Sequence, residues 1–406
     1  MFEVAHSREA ALLCDQQDPL ARARSSFRIR EGVIYLVGHS LGPPPVQARQ
    51  KTEDALSAWT DQLVRGWNAA GWIDLADRTG ERIAELIGAN PGSVIVTDNV
   101  SVNLFKLAVA AMGLARSPLL IIEEDEFPTD QYIVAELGRL QQADVRRVPA
   151  GEGLAALETG GVLIKSAVSY RSSEVADISA HEAEARHRGA MIVWDLSHAS
   201  GVINLTLAAH GVMLATGCTY KYLNGGPGAP AFICVSRDIA DKVTSPLPGW
   251  MGHKSPFLFE ASYTPRDGAG RFASGTPPIL SLASLDGALD AIAGYPMPEL
   301  QKKAVGLGAL AISRARRLGL EVLSPDDDAR RGGHVSLRIK EGYPVVQALA
   351  ERGVLADFRA PDTVRLGFSP LFLCFEQVWD AMDVLGDILA SGSWDHPRFH
   401  ARAKVT

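Results

Sequence analysis

The fold is decided by residues 191–201, MIVWDLSHASG, and by residues 217–228, GCTYKYLNGGPG, one strand crossing later. The first stretch is an apolar run ending in Asp195, which is typical of a buried parallel strand with a carboxylate at its carboxyl end. A second run, residues 211–216, stops shortly before Lys221, so this lysine should reach the same edge of the sheet. Open α/β sheets bind their ligands at that edge.

An acid and a lysine at one sheet edge suggest pyridoxal phosphate as the cofactor. The lysine amine forms a Schiff base with the cofactor aldehyde, and the aspartate keeps the pyridine nitrogen protonated. Taken singly, Asp195 could cap a turn and Lys221 could be a solvated surface side chain. The glycines and proline of residues 224–228 favour the functional interpretation, because they constrain the backbone near a ligand or another segment.

Composition indicates an ordinary globular chain. Of 406 residues, 47% are hydrophobic and 21% charged, which is enough apolar material for a large core and argues against disorder. The net charge of −7 and the lack of a run of basic residues argue against a nucleic-acid partner.

The cysteines indicate a reducing compartment. Cys14, Cys218, Cys234 and Cys374 share no CxxC spacing, so we expect neither a metal site nor a disulfide framework. The N-terminal stretch has acidic residues and no continuous apolar run, and nothing approaches the ~20 apolar residues of a membrane span. We therefore expect a cytoplasmic chain with no membrane partner.

Alternating short apolar runs and helical spacers predict an α/β fold with a mainly parallel, doubly wound sheet. The expected strands are residues 94–97, 119–122, 162–167, 192–194, 212–216 and 231–235, and the expected helices include 46–66, 79–87 and 102–112. Near residue 294 the pattern changes to long helices with short strands at 335–338 and 364–368. We predict an N-terminal segment, 1–45, that packs with the small domain, a large cofactor-binding domain, 46–290, and a smaller α+β domain, 291–406.

Further motifs suggest how such a cofactor could be held. Residues 97–101 precede a predicted helix and offer amides and hydroxyls for a phosphate, although Ser101 could equally be the helix N-cap. Phe127 follows a strand and could stack on a pyridine ring or belong to the core. His198, three residues after Asp195, suits a place beside the acid better than a metal site.

Two arginines of the small domain are candidates for binding a substrate carboxylate. Arg359 and Arg365 flank residues 360–362, and an arginine fork binds both carboxylate oxygens at once. Either residue could instead form a structural ion pair, and spacing alone does not decide between them.

The motifs of this chain, in the order in which they occur, resemble those of kynureninase. Kynureninase belongs to the aspartate-aminotransferase-like group of pyridoxal phosphate enzymes (fold type I, aminotransferase class V-like). The resemblance spans nearly the whole chain. It rests on GWNAAGWIDL, SVNLFK, EFPTDQY, the Tyr170-Arg171 segment, WDLSHASG, CTYKYLNGGPG, LPGWMGH, SGTPPIL and DFRAPDTVRLGFSPLF.

The resemblance implies a role for each matching residue. Lys221 would be the Schiff-base lysine, Asp195 the partner of the pyridine nitrogen and Tyr220 the acid that protonates the product carbon. Other implied cofactor contacts are Val100, Ser101, Phe127, Asp130, Ser166, His198, Trp250 and Thr276, and implied substrate contacts are Arg365, His39 and Ser40. Trp250 and Thr276 would come from a partner subunit, so the resemblance implies a homodimer with sites at the subunit interface.

The implied reaction is hydrolysis of the Cβ–Cγ bond of L-kynurenine, or of 3-hydroxy-L-kynurenine, to anthranilate or 3-hydroxyanthranilate and L-alanine, a step of tryptophan catabolism. The family's YLDGNSLG stands here as YLVGHSLG, residues 35–42, with Val37 for Asp and His39 for Asn. The usual YRTG glycine is also absent from residues 170–173. A paralogue acting on another β-aroyl-alanine is therefore an alternative.

The same fold also supports other activities. A β-lyase or cysteine desulfurase is one, but Cys234 and Cys374 lie in apolar runs rather than on an exposed loop. An aminotransferase would hydrolyse the substrate at Cα instead of cleaving it at Cβ. A non-catalytic, cofactor-binding regulator would be expected to carry a nucleic-acid-binding extension or to lack the lysine, and neither is seen.

Overall fold

The computed structural model describes residues 5–157 and 160–402. In chain order its strands are β1 (Ile34–Tyr35), β2 (Val94–Val96), β3 (Leu119–Glu123), β4 (Asp144–Val148), β5 (Val162–Ser166), β6 (Met191–Asp195), β7 (Leu214–Gly217), β8 (Phe232–Val235), β9 (Glu321–Val322), β10 (His334–Arg338), β11 (Val354–Leu355), β12 (Asp357–Arg359) and β13 (Thr363–Gly367).

The α-helices are α1 (Arg8–Gln16), α2 (Val46–Gln62), α3 (Gly66–Ala69), α4 (Leu75–Ile87), α5 (Val100–Met112), α6 (Pro128–Gln141), α7 (Ile178–Arg188), α8 (Leu207–His210), α9 (Arg237–Ala240), α10 (Ile279–Ile292), α11 (Met297–Arg317), α12 (Gly342–Glu351), α13 (Phe375–Ser391) and α14 (Pro397–His400). Short 3₁₀ turns lie at Ala21–Ser26, Leu63–Arg65, Trp250–Gly252, Pro256–Leu258, Gly268–Phe272 and Asp328–Arg330. No helix of the described ranges is long and apolar enough to cross a membrane.

The large sheet has seven strands in the order β2-β8-β7-β6-β5-β3-β4. The strands from β7 to β4 are parallel, and β8 is antiparallel to both of its neighbours. Helices pack against this sheet, and the side chains of β3 and β6 are buried along their whole length. Each of these strands is a continuous apolar run that ends in one acid, Glu123 or Asp195, as is typical of strands buried on both faces. The predicted α/β fold is confirmed.

A second sheet, β12-β13-β10-β9, is antiparallel and packs with α11 and α12. The N-terminal segment lies against this part of the chain, because β1 pairs with β11 in parallel and α1 packs on α13. A further bridge joins Val37 to Gly367. The domain boundaries at residues 45 and 290 stay predictions.

Three sequence predictions need correction. The helix expected over 46–66 is interrupted, since α2 ends at Gln62 and a 3₁₀ turn precedes α3. The N-cap of α5 is Asn99, whose side chain accepts from the amide of Val102, so Ser101 lies inside the helix. Strand β4 was missed because its side chains are mostly exposed and polar, as on many edge strands.

Candidate active site

The register of the parallel strands aligns the ends of β5, β6 and β7. Ser166 pairs with Asp195, and Asp195 pairs with Thr216, so all three lie at the carboxyl edge of the sheet. Lys221 follows four residues after β7, in a turn whose close packing requires glycine at position 42. A Cβ on Gly42 would lie 2.3 Å from the carbonyl oxygen of Lys221. The N-terminal loop thus fits tightly against the lysine turn.

His198 lies directly beside the lysine. Its Nε2 and Nδ1 atoms are 3.2 and 3.4 Å from the Nζ atom of Lys221. Burial, followed by the positive charge of Lys221, lowers the pKa of His198 well below its usual value. The imidazole is therefore neutral at ordinary pH and adds no positive charge beside the lysine amine.

Asp195 is buried and held in one orientation by Ser197. Its Oδ1 atom accepts from the amide of Ser197 at 2.8 Å and from the hydroxyl at 2.5 Å. Burial raises the pKa of Asp195, while the Ser197 bonds and the charge of Lys221 act in the opposite direction. The carboxylate needs a positively charged partner to stay ionised here.

Asp130, in the first turn of α6, is a second buried acid at this place. Neither of its carboxylate oxygens has a hydrogen-bond partner among the described residues. Burial raises the pKa of Asp130 well above its usual value, and the nearby charges of Asp195 and Glu126 raise it further. A protonated pyridine nitrogen beside these two acids would offset the cost of burying their charges and the repulsion between them. Asp130 and Asp195 therefore fit pyridoxal phosphate.

The opposite end of such a cofactor, its phosphate, fits the start of α5. Asn99 caps this helix, and the amides of Val100 and Ser101 lie in its first turn, where the helix has no carbonyl to offer them. Helix N-termini bind phosphate through such amides and the helix dipole. The hydroxyl of Ser101 is only partly buried and can add a donor.

The aromatic ring of Phe127 is partly exposed just before α6. Phe127 precedes the first residue of α6, its side chain is 41% exposed, and its ring meets that of Tyr170 edge-on at 5.2 Å. The alternative that this residue belongs to the core is therefore wrong. An exposed ring is free to stack on a planar ligand.

Tyr220 adjoins the lysine, with Lys221 Nζ 6.0 Å from its ring centroid. The neighbouring Cys218, together with partial burial, raises the pKa of Tyr220. Its hydroxyl therefore keeps its proton and can act as a hydrogen donor.

Arg365 is fully buried and already holds a carboxylate of the chain. Its Nε and NH2 atoms donate to the two oxygens of Asp357 at 2.8 and 2.5 Å, and NH1 donates to the carbonyl of Tyr170 at 2.7 Å. A guanidinium has five N–H donors, so two remain for a ligand. Arg359 also approaches Asp357, at 3.2 Å, so two arginines share one carboxylate and the cluster keeps a net positive charge.

The remaining predicted residues are of two kinds. His39 is buried beneath β13, and Ser40 follows it, partly buried, in the same loop. Trp250 and Thr276 are exposed on the surface of the single chain. Trp250 packs edge-on against Phe257, and Thr276 lines a cavity of about 230 Å³ with Thr97.

Three residues of the site were missed by sequence reasoning. Glu126 accepts hydrogen bonds from the amide and hydroxyl of Ser166, at 2.9 and 2.5 Å, and burial raises its pKa to about 7. Asp357 organises Arg365, and His334 packs between two other histidines. Glu126 and Asp357 begin the motifs EFPTDQY and DFRAP, which was an available signal, whereas His334 follows two glycines in no motif.

The buried cysteines do not suit a desulfurase. Cys234 and Cys374 are almost completely buried, and burial raises their pKa to about 12 and about 11. A nucleophilic cysteine needs the opposite conditions, namely access and a lowered pKa.

Solved structures show which class of protein has this fold. The apo cysteine desulfurase of Thermococcus onnurineus NA1 superposes with a TM-score of 0.78 at 15% identity, over 91% of this chain and 98% of that chain. A mutant of C-DES, with glycine linked covalently to its pyridoxal phosphate cofactor, superposes with a TM-score of 0.79 at 16% identity, over 90% and 99% of the two chains. The fold is that of the class V aminotransferase and cysteine desulfurase group of pyridoxal phosphate enzymes.

Sequence relatives define the family within this class. Kynureninase of Pseudomonas fluorescens is 42% identical over 98% of this chain and all of that protein, and kynureninase of Burkholderia pseudomallei (strain 1106a) is 39% identical over the same shares. Residues 300–385 match the kynureninase C-terminal domain. The chain belongs to the kynureninase family, and the predictions of family and of pyridoxal phosphate are confirmed.

Proposed function

We propose that this protein hydrolyses the Cβ–Cγ bond of L-kynurenine or 3-hydroxy-L-kynurenine, giving anthranilate or 3-hydroxyanthranilate and L-alanine in tryptophan catabolism. The observation that carries the proposal is the grouping of Lys221, His198 and the buried acids Asp130 and Asp195 at the carboxyl edge of the sheet. Family membership over the full chain favours this reaction over the β-lyase and aminotransferase alternatives.

When bound, pyridoxal phosphate supplies an aldehyde that captures the substrate amine and a pyridinium ring that accepts electrons from bonds broken at the amino acid. Asp195 and Asp130 would hold the proton on the pyridine nitrogen. Val100, Ser101, Ser166, Trp250 and Thr276 are proposed as further contacts, and the exposed ring of Phe127 would cover the pyridine face.

The amine of Lys221 takes up the proton of the substrate Cα. The side chain of His198, neutral and 3.2 Å away, keeps this amine in place without adding charge. Water then adds to the ketone carbon, and as the hydrate gives up a proton the Cβ–Cγ bond breaks, so that Cγ becomes the carboxyl carbon of the arylamine and the electron pair left on Cβ receives a proton. Tyr220, whose raised pKa keeps its hydroxyl protonated, is the proposed donor of that proton. The proton held by Lys221 returns to Cα, which completes L-alanine.

The substrate's α-carboxylate is assigned to Arg365. Two of its N–H donors remain available, and Arg359 adds positive charge beside them. Because Asp357 and Tyr170 already fix the guanidinium, little side-chain entropy is lost on binding. His39 and Ser40 are proposed to lie on the substrate side of the same loop.

A cytoplasmic homodimer completes the proposal. Cys218, Cys234 and Cys374 are buried, as suits thiols in a reducing compartment. The segment that carries Trp250 exposes the apolar side chains of Phe257, Leu258 and Phe259. A second copy would cover them and receive Trp250 and Thr276 into its own site.

The test uses purified protein with pyridoxal phosphate and the two substrates in parallel. We expect equimolar arylamine and alanine from at least one of them, and none from Lys221→Ala, because this variant lacks the amine that is proposed to take the Cα proton. A visible cofactor band without alanine from either substrate would mean that the cofactor site is right and the substrate assignment is wrong. A Lys221→Ala protein as active as the wild type would contradict the assignment of the site.

A further inference from the structure

Three buried imidazoles form a row that begins beside the lysine. His198 contacts Lys221, the ring of His334 lies 5.8 Å from that of His198, and the ring of His39 stacks on His334 at 5.1 Å with an angle of 16° between the planes. The row joins two places that the reaction needs, namely the lysine and the carboxylate-binding arginine. His39 also stands at the position where the family's motif has asparagine.

The two rings of this row that lie farther from the lysine, those of His334 and His39, have no ordinary hydrogen bond in the part of the chain that the structure describes. Both nitrogens of His39 and both nitrogens of His334 are unpartnered among the described residues, although both side chains are completely buried. An unsatisfied buried polar group costs about 1–3 kcal/mol. A valine or leucine would avoid that cost, so a structural explanation for these histidines is insufficient.

Both rings are uncharged. Burial, aided by the positive charge of Arg365, lowers the pKa of His39 to about 4, although Asp357 acts in the opposite direction. Burial likewise lowers the pKa of His334, with smaller effects from His39 and Arg365. A neutral imidazole carries one N–H, so His39 can offer a hydrogen without adding a charge.

The carboxylate of Asp357 lies near this hydrogen and can accept it. His39 Nε2 is 3.5 Å from Oδ2 of Asp357, slightly beyond an ordinary N–H···O bond. The same oxygen accepts from NH2 of Arg365 at 2.5 Å and lies 3.2 Å from Arg359. Asp357 therefore contacts both the imidazole row and Arg365, and it links the two.

The position of the His39 ring is fixed by close packing. A Cβ on Gly367 would lie 2.0 Å from Nδ1 of His39, so only glycine at that position leaves room for the ring. His334 covers one face of the ring. The N–H of His39 thus has a defined direction.

We propose that His39 is a positioning residue for the substrate's α-carboxylate, acting through Asp357 on Arg365; this inference rests on the proposed function. A substrate carboxylate at Arg365 competes with Asp357 for the guanidinium. The N–H of His39 gives Asp357 a further donor, so that Arg365 can share its charge with the substrate and keep its orientation. His334 holds the imidazole in place.

The experiment compares His39→Leu, which removes the donor, with His39→Asn, which restores the family residue and an N–H. We expect His39→Leu to raise KM about tenfold with kcat within about twofold, and His39→Asn to stay within about threefold of the wild-type KM. His187→Leu, the same change at an exposed position on α7, is the control and should leave both constants unchanged. If His39→Leu does not fold, His39→Ala takes its place.

A second readout separates positioning from general damage. The affinity of the cofactor-loaded protein for L-alanine, followed by its visible absorbance, should fall about tenfold in His39→Leu. Inhibition by kynuramine, the substrate's counterpart without the carboxyl group, should not change. Equal effects on alanine and kynuramine, an unchanged KM in His39→Leu, or equal losses in the Leu and Asn variants would overturn the inference.

The alanine titration also separates the two proposals. It requires only that an α-amino acid binds, and not that kynurenine is cleaved. A wild type that cleaves neither substrate, yet loses alanine affinity on His39→Leu, would contradict the proposed substrate and support the role of His39. Cleavage in the wild type with unchanged alanine affinity in His39→Leu would do the reverse.

Discussion

Single ionisable residues at the sheet edge determine what this site can bind. Burial raises the pKa of both Asp130 and Asp195, and the charge of Asp195 raises the pKa of Asp130 further, while Lys221 acts in the opposite direction on both acids. Such an arrangement favours a ligand with one positive charge between the acids. The phosphate of the cofactor and the α-carboxylate of the substrate are proposed to lie elsewhere, at the start of α5 and at Arg365.

Tyr220→Phe tests the proton donor. We expect turnover to fall about 10²–10⁴-fold, the usual contribution of a positioned acid, with the visible cofactor band retained. Tyr222→Phe is the matched control, since the Tyr222 hydroxyl is buried and has no hydrogen bond in the described part of the chain. Its activity should stay within about threefold, because no hydrogen bond is lost. Full activity in Tyr220→Phe would exclude the tyrosine as the acid.

The sequence predicts residues of this site only where a motif carries them. Asp195, His198 and Lys221 follow strands whose apolar runs are plain, so their meeting at one edge could be expected. The contacts of Glu126 with Ser166 and of His39 with His334 join residues that are distant along the chain. Such pairings depend on packing between elements, which periodicity does not report.

At the scale of elements, a buried hydrogen bond joins α7 to β6. Glu182 accepts from Nε1 of Trp194 at 2.8 Å, and both side chains are completely buried. Burial raises the pKa of Glu182 from 4.5 to about 7, although the Trp194 bond acts in the opposite direction. The neutral form of Glu182 is thus favoured in the folded protein.

This shift predicts how stability depends on pH. Because the folded-state pKa is raised, the contribution of Glu182 is fully present below pH 4.5 and is lost as the pH rises to about 7. The loss amounts to about 3 kcal/mol, from about 1.36 kcal/mol per pKa unit. Glu182→Gln cannot ionise and keeps an acceptor for Trp194, so its fall in stability from pH 5 to pH 8 should be smaller by about 2.5 kcal/mol, since part of the full loss already occurs below pH 5.

Denaturant midpoints at pH 5 and pH 8 measure the effect. Glu85→Gln, an exposed position on α4, is the control and should behave as the wild type. If Glu182→Gln and the wild type lose equal stability between the two pH values, the pKa of Glu182 is not raised.

The strands could be predicted from the sequence where their side chains are uniformly buried. Six of the seven strands of the large sheet coincide with short apolar runs. The exception, β4, reads DVRRV, because an edge strand needs no apolar faces. The start of α5 was misplaced by two residues because Asn99 and Ser101 are both good N-caps, and only the backbone distinguishes them.

At the scale of the whole molecule, the exposed apolar segment predicts association. Leu258 is 67% exposed and Phe259 is 78% exposed, next to Trp250. We expect sedimentation to give twice the 43.5 kDa of one chain. Leu258→Asp should shift the protein toward the monomer and weaken cofactor binding, because a charge would be buried at the interface and Trp250 of a second copy would be lost from the site.

Leu13→Asp, at an exposed position on α1, is the control for this change. It should sediment and bind cofactor as the wild type does. A Leu258→Asp protein with unchanged mass and cofactor affinity would show that this segment is not the interface.

The pairing of β1 with β11 has a consequence for synthesis on the ribosome. Ile34 is translated early, but its partner Val354 emerges only after the whole large sheet. The residues of that sheet are contiguous in sequence and can condense first, since domains fold as units during translation. We therefore expect the loop that ends at Gly42 to pack against the lysine turn late in folding, after the large sheet has formed.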